Sequence, residues 1–240
     1  MNEFHPRATR VVPSHVQGAG YVGVPWKLVI HTTESDTYTP STADYFGHQH
    51  WPHATVVAGR IFQHLPISRA ARALARADGV ETNRANAIQC EVVWRADRAQ
   101  EMPDELVATL ADWLDWAAEE TGCPLDVPRS FRGAGEGIVL AVASSPHRFT
   151  LEQWLRVTGI VGHQHVPVND HFDPGRLPVD RLNEFLKGGE IVDPTLKQLI
   201  VDLHTAMTEE KEGRLPQPRL DALQASIEEL KRQVAGLART

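Results

Sequence analysis

Of the twelve histidines in this chain of 240 residues, three fall within nine positions, at His163, His165 and His171. Imidazole and carboxylate groups gathered in this way are the donors of a catalytic zinc, which takes three protein ligands from His, Asp, Glu or Cys and leaves the fourth position to water. The chain can supply that set. His31 closes an apolar stretch, His163 opens the run Gly-His-Gln-His-Val-Pro-Val-Asn-Asp-His-Phe-Asp-Pro-Gly, and Asp173 follows ten residues later. Pro174 restricts the backbone directly after that carboxylate and Gly175 permits a sharp turn, so the acid sits on a stiff corner. An open metal site needs such rigid placement. A lone histidine is more often a satisfied core or surface residue, so the expectation rests on the arrangement.

These side chains need elements to hold them. Trp26 to His31 reads as a short buried strand, placing His31 at a strand end before a polar loop. Ala54 to Val57 and Arg60 to His64 read as a hairpin, with Ala58 and Gly59 at the length of a tight turn. Ala87 to Trp94 is the clearest strand: Ile88, Cys90, Val92 and Trp94 share one face by the period of two, and Gln89 and Glu91 share the other. From Pro103 to Thr121, Leu106, Leu110, Trp113, Leu114 and Ala117 follow helical spacing, with Gly122 as the stop. Thr150 and Gln153 form a capping-box pattern for a helix carrying Trp154 and Leu155 and ending near Gly159, after which the histidines lie in a loop. Pro178 to Leu186 reads as a closing helix that Gly188 and Gly189 break.

A boundary near residue 189 then separates a domain of residues 1–189 from a helical tail, 190–240. The tail carries a helical stretch from Pro194 to Glu212 and a heptad seam, Leu220, Leu223, Ile227, Leu230, Val234 and Leu237, within a helix spanning 218–238. Under three repeats is short for a self-sufficient coiled coil, so this helix either joins copies of the chain into a homo-oligomer or packs back on its own chain. The length suits one catalytic domain plus such an appendage. A formal charge of -7, with no block of Lys and Arg, argues against a nucleic-acid partner. Cys90 and Cys123 are expected reduced and buried.

Val-Ile-His-Thr-Thr at 29–33, Gly-Arg-Ile-Phe-Gln at 59–63, Asn83 followed by Ile88-Gln-Cys-Glu91, and Gly162-His163 leading to Asp173-Pro174-Gly175 resemble the amidase family of peptidoglycan-recognition proteins, bacterial anhydro-muropeptide amidases and phage endolysins. Gly-His-Gln-His-Val-Pro and Asn-Asp-His, within 162–171, look most like the loop of lysins from phages of mycobacteria and related actinobacteria. The resemblance covers residues 20–187. It implies an α/β fold, a central mixed sheet flanked by helices, with one Zn2+ in a surface groove. The implied activity is hydrolysis of the amide between N-acetylmuramic acid and L-alanine in bacterial peptidoglycan.

Residue by residue, the resemblance makes His31, His163 and Asp173 the zinc ligands and Glu91 the general base. His171 falls where many relatives carry a lysine that stabilises the transition state; it is that stabiliser or a substitute ligand. His53 and Gln63 match positions that face the family's groove or are structural, and His165 is a supporting or structural residue beside the same groove. Trp51, Trp94 and Tyr45 line a sugar face or belong to the core. The competing functions are a non-catalytic peptidoglycan-binding module, a zinc peptidase cutting within the stem peptide, and a histidine-rich metal-binding protein. The first fifteen residues lack the apolar stretch of a secretory signal, and nowhere do about 18 apolar residues run together, so membrane insertion is not expected. The expected setting is the host cytoplasm, with access to the wall once a holin-type pore opens the membrane; cytoplasmic muropeptide recycling also fits.

Overall fold

The computed structural model describes residues 2–11, 18–37, 50–74, 82–133, 136 and 145–191. The chain divides into two compact units, Met1–Leu186 and Lys187–Thr240. The tail seam and helices expected beyond residue 191 lie outside the described residues, as does Tyr45. No helix among the described residues is long and apolar enough to cross a membrane.

Six strands, β1 (Thr9–Arg10), β2 (Lys27–Thr32), β3 (Ala54–Val57), β4 (Arg60–Gln63), β5 (Ala87–Val92) and β6 (Gly159–Gly162), form one sheet in the order β1-β4-β3-β5-β2-β6. The β3–β4 hairpin is antiparallel and every other neighbouring pair is parallel, so the sheet is mixed, as expected. β2 and β5 are buried along their whole length, as parallel strands covered on both faces are. Alternation then sorts their side chains. Leu28, Ile30, Ile88, Cys90 and Val92 enter the large core with Leu106, Leu110, Trp113 and Leu114 of helix α1 (Asp104–Thr121). Val29, Ala87 and Val161 enter a smaller cluster on the other face, with Phe149 and Trp154. His31 shares the parity of Val29, and Glu91 that of Ala87, so both leave the sheet on the side away from α1.

Helix α1 begins with Asp104 and Glu105, whose charge suits the positive N-terminal end. It stops at Gly122, which takes the left-handed conformation at φ 71°. The Thr150 capping box is present, its hydroxyl accepting from the Gln153 N–H and the Gln153 side chain accepting from the Thr150 N–H. The helix it opens, α2 (Leu151–Trp154), is shorter than the spacing predicted. Thr158 turns its hydroxyl onto the Trp26 carbonyl, and Gly159 starts β6 beside β2. Both β6 and β1 are strands the sequence reading lacked. Gly-Ile-Val-Gly offers too few residues to show alternation, and only the open edge of β2 makes it a strand. Helix α3 (Val179–Ile191) also corrects an expectation, because it runs through Gly188 and Gly189. Each glycine weakens a helix by about 1 kcal/mol relative to alanine without forbidding it. Cys90 and Cys123 are both buried and free.

Candidate metal centre

The register of the three central strands brings the chemical groups together. His31 pairs with Glu91 across β2–β5, and Ile30 pairs with Gly162 across β2–β6, so His163 emerges one residue past β6 at the level of His31. Carboxyl ends of parallel strands are the usual site of ligand binding in α/β sheets. After His163 the chain makes a single 3-10 turn, His163–His165, and returns to set Asp173 against the same point. Gly175 permits that return: its φ is 73°, and a Cβ there would lie 2.0 Å from the Ala96 carbonyl oxygen. Gly162 is equally confined, since a Cβ would meet Pro174 at 2.6 Å and Phe131 at 2.7 Å.

His31 Nδ1 lies 3.1 Å from His163 Nδ1 and 3.5 Å from Asp173 Oδ2, and His163 Nδ1 lies 3.3 Å from Asp173 Oδ1. All three residues are buried and offer donor atoms that could hold one metal ion. Zinc bonds of about 2.0–2.1 Å in tetrahedral arrangement separate adjacent donors by roughly 3.3 Å, so the spacing fits zinc, and two imidazoles with a carboxylate are a donor set zinc accepts. Burial lowers the His163 pKa to about 4, which keeps a neutral imidazole with a lone pair to give. Burial alone would raise the Asp173 pKa, but His163, His171 and His31 outweigh it and hold the carboxyl well below its usual range.

Glu91 stands beside this point, Oε1 3.9 Å from His31 Nδ1. Burial pushes its pKa up to about 7, against the opposing pull of His31. Its Oε2 is buried and has no hydrogen-bond partner among the described residues. The His171 ring stacks on His163 with centroids 4.0 Å apart and planes 17° from parallel. His171 Nδ1 lies 3.3 Å from Asp173 Oδ1, a hydrogen bond that raises the His171 pKa. Unlike His31, His163, Asp173 and Glu91, the His171 side chain is largely exposed, at 54%, so its Nε2 edge can meet a ligand.

At the three positions expected to face the groove or to be structural, burial favours the structural role. His53, Gln63 and His165 are all fully buried and fully used. His53 Nδ1 accepts from the Gln89 N–H, and its Nε2 donates to the Arg69 carbonyl. Gln63 ties the N-terminal segment to the sheet, accepting from His5 N–H and donating to Glu3 and Leu65 carbonyls. His165 accepts from the Gly162 N–H and donates to the Ser130 carbonyl. Of the tryptophans, Trp51 is buried with Leu65 and Ala71, and Trp94 gives its N–H to the Arg98 carbonyl.

Sequence reasoning missed a set of polar side chains behind the loop. Buried Arg148 donates to the Gln164 and His171 carbonyls and to Asn169 Oδ1, and Asn169 Oδ1 in turn accepts the His171 N–H. Gln164 and Asn169 lay inside the loop motif, which was the available signal. Arg148 carried none.

No protein-family profile matches the chain, and none of the curated proteins matches it. Among solved structures, the Staphylococcus aureus hydrolase AmiA, determined in complex with its ligand, matches with a TM-score of 0.50 at 18% identity, covering 88% of this chain and 87% of that one. The chain shares the fold of this hydrolase. Two others match less closely. The endolysin N-acetylmuramoyl-L-alanine amidase LysCS from Clostridium intestinale has a TM-score of 0.48 at 14% identity, over 77% of this chain and 98% of that one. AmpD, solved as a selenomethionine derivative, has a TM-score of 0.49 at 16% identity, over 78% and 98%. At these identities the likeness is one of fold, and the α/β fold implied by the motif resemblance is the fold found.

Proposed function

We propose that the chain is a zinc-dependent N-acetylmuramoyl-L-alanine amidase of the phage endolysin kind, hydrolysing the amide between N-acetylmuramic acid and L-alanine in peptidoglycan. The observation that carries this reading is the convergence of His31, His163 and Asp173 on one buried point with Glu91 alongside. The motif segments that hold these residues support it, as does the shared fold. In this reading His31 and His163 give imidazole nitrogens and Asp173 a carboxylate oxygen to one zinc ion. When bound, the ion polarises the amide carbonyl and lowers the pKa of water from about 15.7 toward about 7.

The remaining steps belong to the chain's own groups. Glu91, with its pKa near 7, takes the proton of the attacking water and can return it to the departing alanine nitrogen, the exchange a general acid–base needs at neutral pH. His171, anchored through Nδ1 on Asp173, offers Nε2 as a donor to the negative charge that develops on the carbonyl oxygen. The setting we attach to this activity is lysis of a bacterial host from its cytoplasm.

Mass spectrometry of purified peptidoglycan digested by the protein tests the reading, with a chelator and the Asp173→Ala variant as controls. Release of intact stem peptides beginning at L-alanine, abolished in both controls, is the expected result. Cleavage within the peptide would replace it with a zinc peptidase, and binding without any cut bond with a wall-binding module.

A further inference from the structure

Metal-binding imidazoles are usually oriented through their second nitrogen. Such a ring normally gives its second nitrogen to a carboxylate, a carbonyl or water. Here Nε2 of both His31 and His163 is buried and has no hydrogen-bond partner among the described residues. His163 and Asp173 stand ten residues apart on one loop, and a bond network within that loop must hold their spacing.

The side chain between them does so. Gln164 is fully buried, and both ends of its amide are spent. Its Oε1 accepts from the Arg132 N–H at 2.9 Å and from His147 Nε2 at 2.7 Å. Its Nε2 donates to the Phe172 carbonyl at 3.1 Å, the Gly175 carbonyl at 2.8 Å and the Arg132 carbonyl at 3.3 Å. Phe172 and Gly175 bracket Asp173, and Gln164 itself follows His163. Its own backbone N–H donates to the Asp173 carbonyl at 2.8 Å. One residue thus clamps the two arms of the loop at the spacing a metal requires and braces them against the 130–133 segment.

We infer that Gln164 is a positioning residue that sets metal affinity by fixing His163 and Asp173 through their backbones, with His147 holding the Gln164 amide in place. This rests on the zinc reading above. A buried amide with its partners satisfied acts as a rigid brace, whereas a side chain of the same length without polar atoms leaves the Phe172 and Gly175 carbonyls only their backbone partners, the Gly175 and Leu177 N–H groups, and unties the two arms of the loop from each other.

The test is the zinc dissociation constant of the full chain, measured by competition with a chromophoric chelator, together with the visible spectrum of the cobalt-loaded protein. Gln164→Met is expected to weaken zinc binding about 10- to 100-fold, the range seen when supporting contacts of a metal site are lost, and to alter the cobalt bands. His147→Phe removes one of the bonds to Oε1 and is expected to weaken zinc binding several-fold. If Gln164→Met does not fold, His147→Phe decides alone. A wild-type zinc affinity in the folded variants, whatever their melting temperature, overturns the inference and leaves the amidase reading intact. A wild-type chain that takes up no zinc overturns both.

Discussion

His31 and Glu91 face each other across the parallel β2–β5 ladder, with His31 Nδ1 3.9 Å from Glu91 Oε1. That register places a carboxyl group at a fixed distance from the point where His31, His163 and Asp173 converge, on a strand buried along its whole length.

Glu91→Gln should therefore keep zinc and lose turnover. A general base contributes about 10²- to 10⁴-fold, so kcat is expected to fall within that range while zinc content stays stoichiometric. Metal analysis beside a turnover assay checks this, and a variant with near-normal kcat would remove Glu91 from the chemistry.

His171→Ala separates two roles for one ring. If His171 stabilises developing charge, zinc is retained and kcat drops by a few hundredfold, the usual effect of losing one such donor. Loss of zinc at unchanged fold would instead make His171 a ligand.

Asp173→Ala takes away the carboxylate that both histidines approach. Zinc at about 100 times its dissociation constant stabilises a folded protein by roughly 2.7 kcal/mol. The wild-type melting temperature is expected to rise on adding zinc and fall back with chelator, and that of Asp173→Ala to respond to neither. An equal zinc response in the variant would exclude Asp173 as a ligand.

Acid should destabilise the protein through His53 and His64. Burial lowers both pKa values to about 4. The His53 ring accepts from the Gln89 N–H and donates to the Arg69 carbonyl, which only its neutral form can do, while His64 bonds the Val11 carbonyl and the Thr55 hydroxyl. The unfolded chain takes up these protons below about pH 6.5, and the folded chain does not until about pH 4. Between those values the unfolded state binds more protons, so stability is complete above pH 6.5 and is lost as pH falls toward 4. Either histidine alone accounts for about 3 kcal/mol at most over that window. Urea unfolding at pH 7 and pH 5 measures the slope, and His64→Gln is expected to flatten it. A wild-type stability independent of pH there would contradict the assignment.

The order and spacing of residues carried much of this centre by themselves. Trp26 to His31 named a buried strand ending in a histidine because an apolar run meeting a polar loop has few other solutions. The alternation in Ala87 to Val92 put Glu91 on the face away from Ile88 and Cys90, since a strand leaves no third side. Helix α1 was legible from Leu106 to Gly122 because a four-turn amphipathic pattern with a glycine stop is a local property. The loop from Gly162 to Gly175 offered its donors through residue type, and the family resemblance chose His163 and Asp173 among them.

What the tertiary structure decided is non-local. Gly159 to Gly162 is a strand only because β2 offers it an edge, and past the end of α2 Thr158 donates its hydroxyl to the Trp26 carbonyl of the neighbouring segment. The same holds for His53 and Gln63, whose positions suited a groove or a structural role, and for His165, read as supporting or structural. Burial and backbone partners make them structural, and no pattern along the chain records how deeply a polar side chain is covered. Gln164 and Arg148 gain their places from carbonyls brought together by the returning loop. Distances between His31, His163 and Asp173 depend on two strand ends and one returning loop meeting at a point, and the chain expresses that only once it is folded.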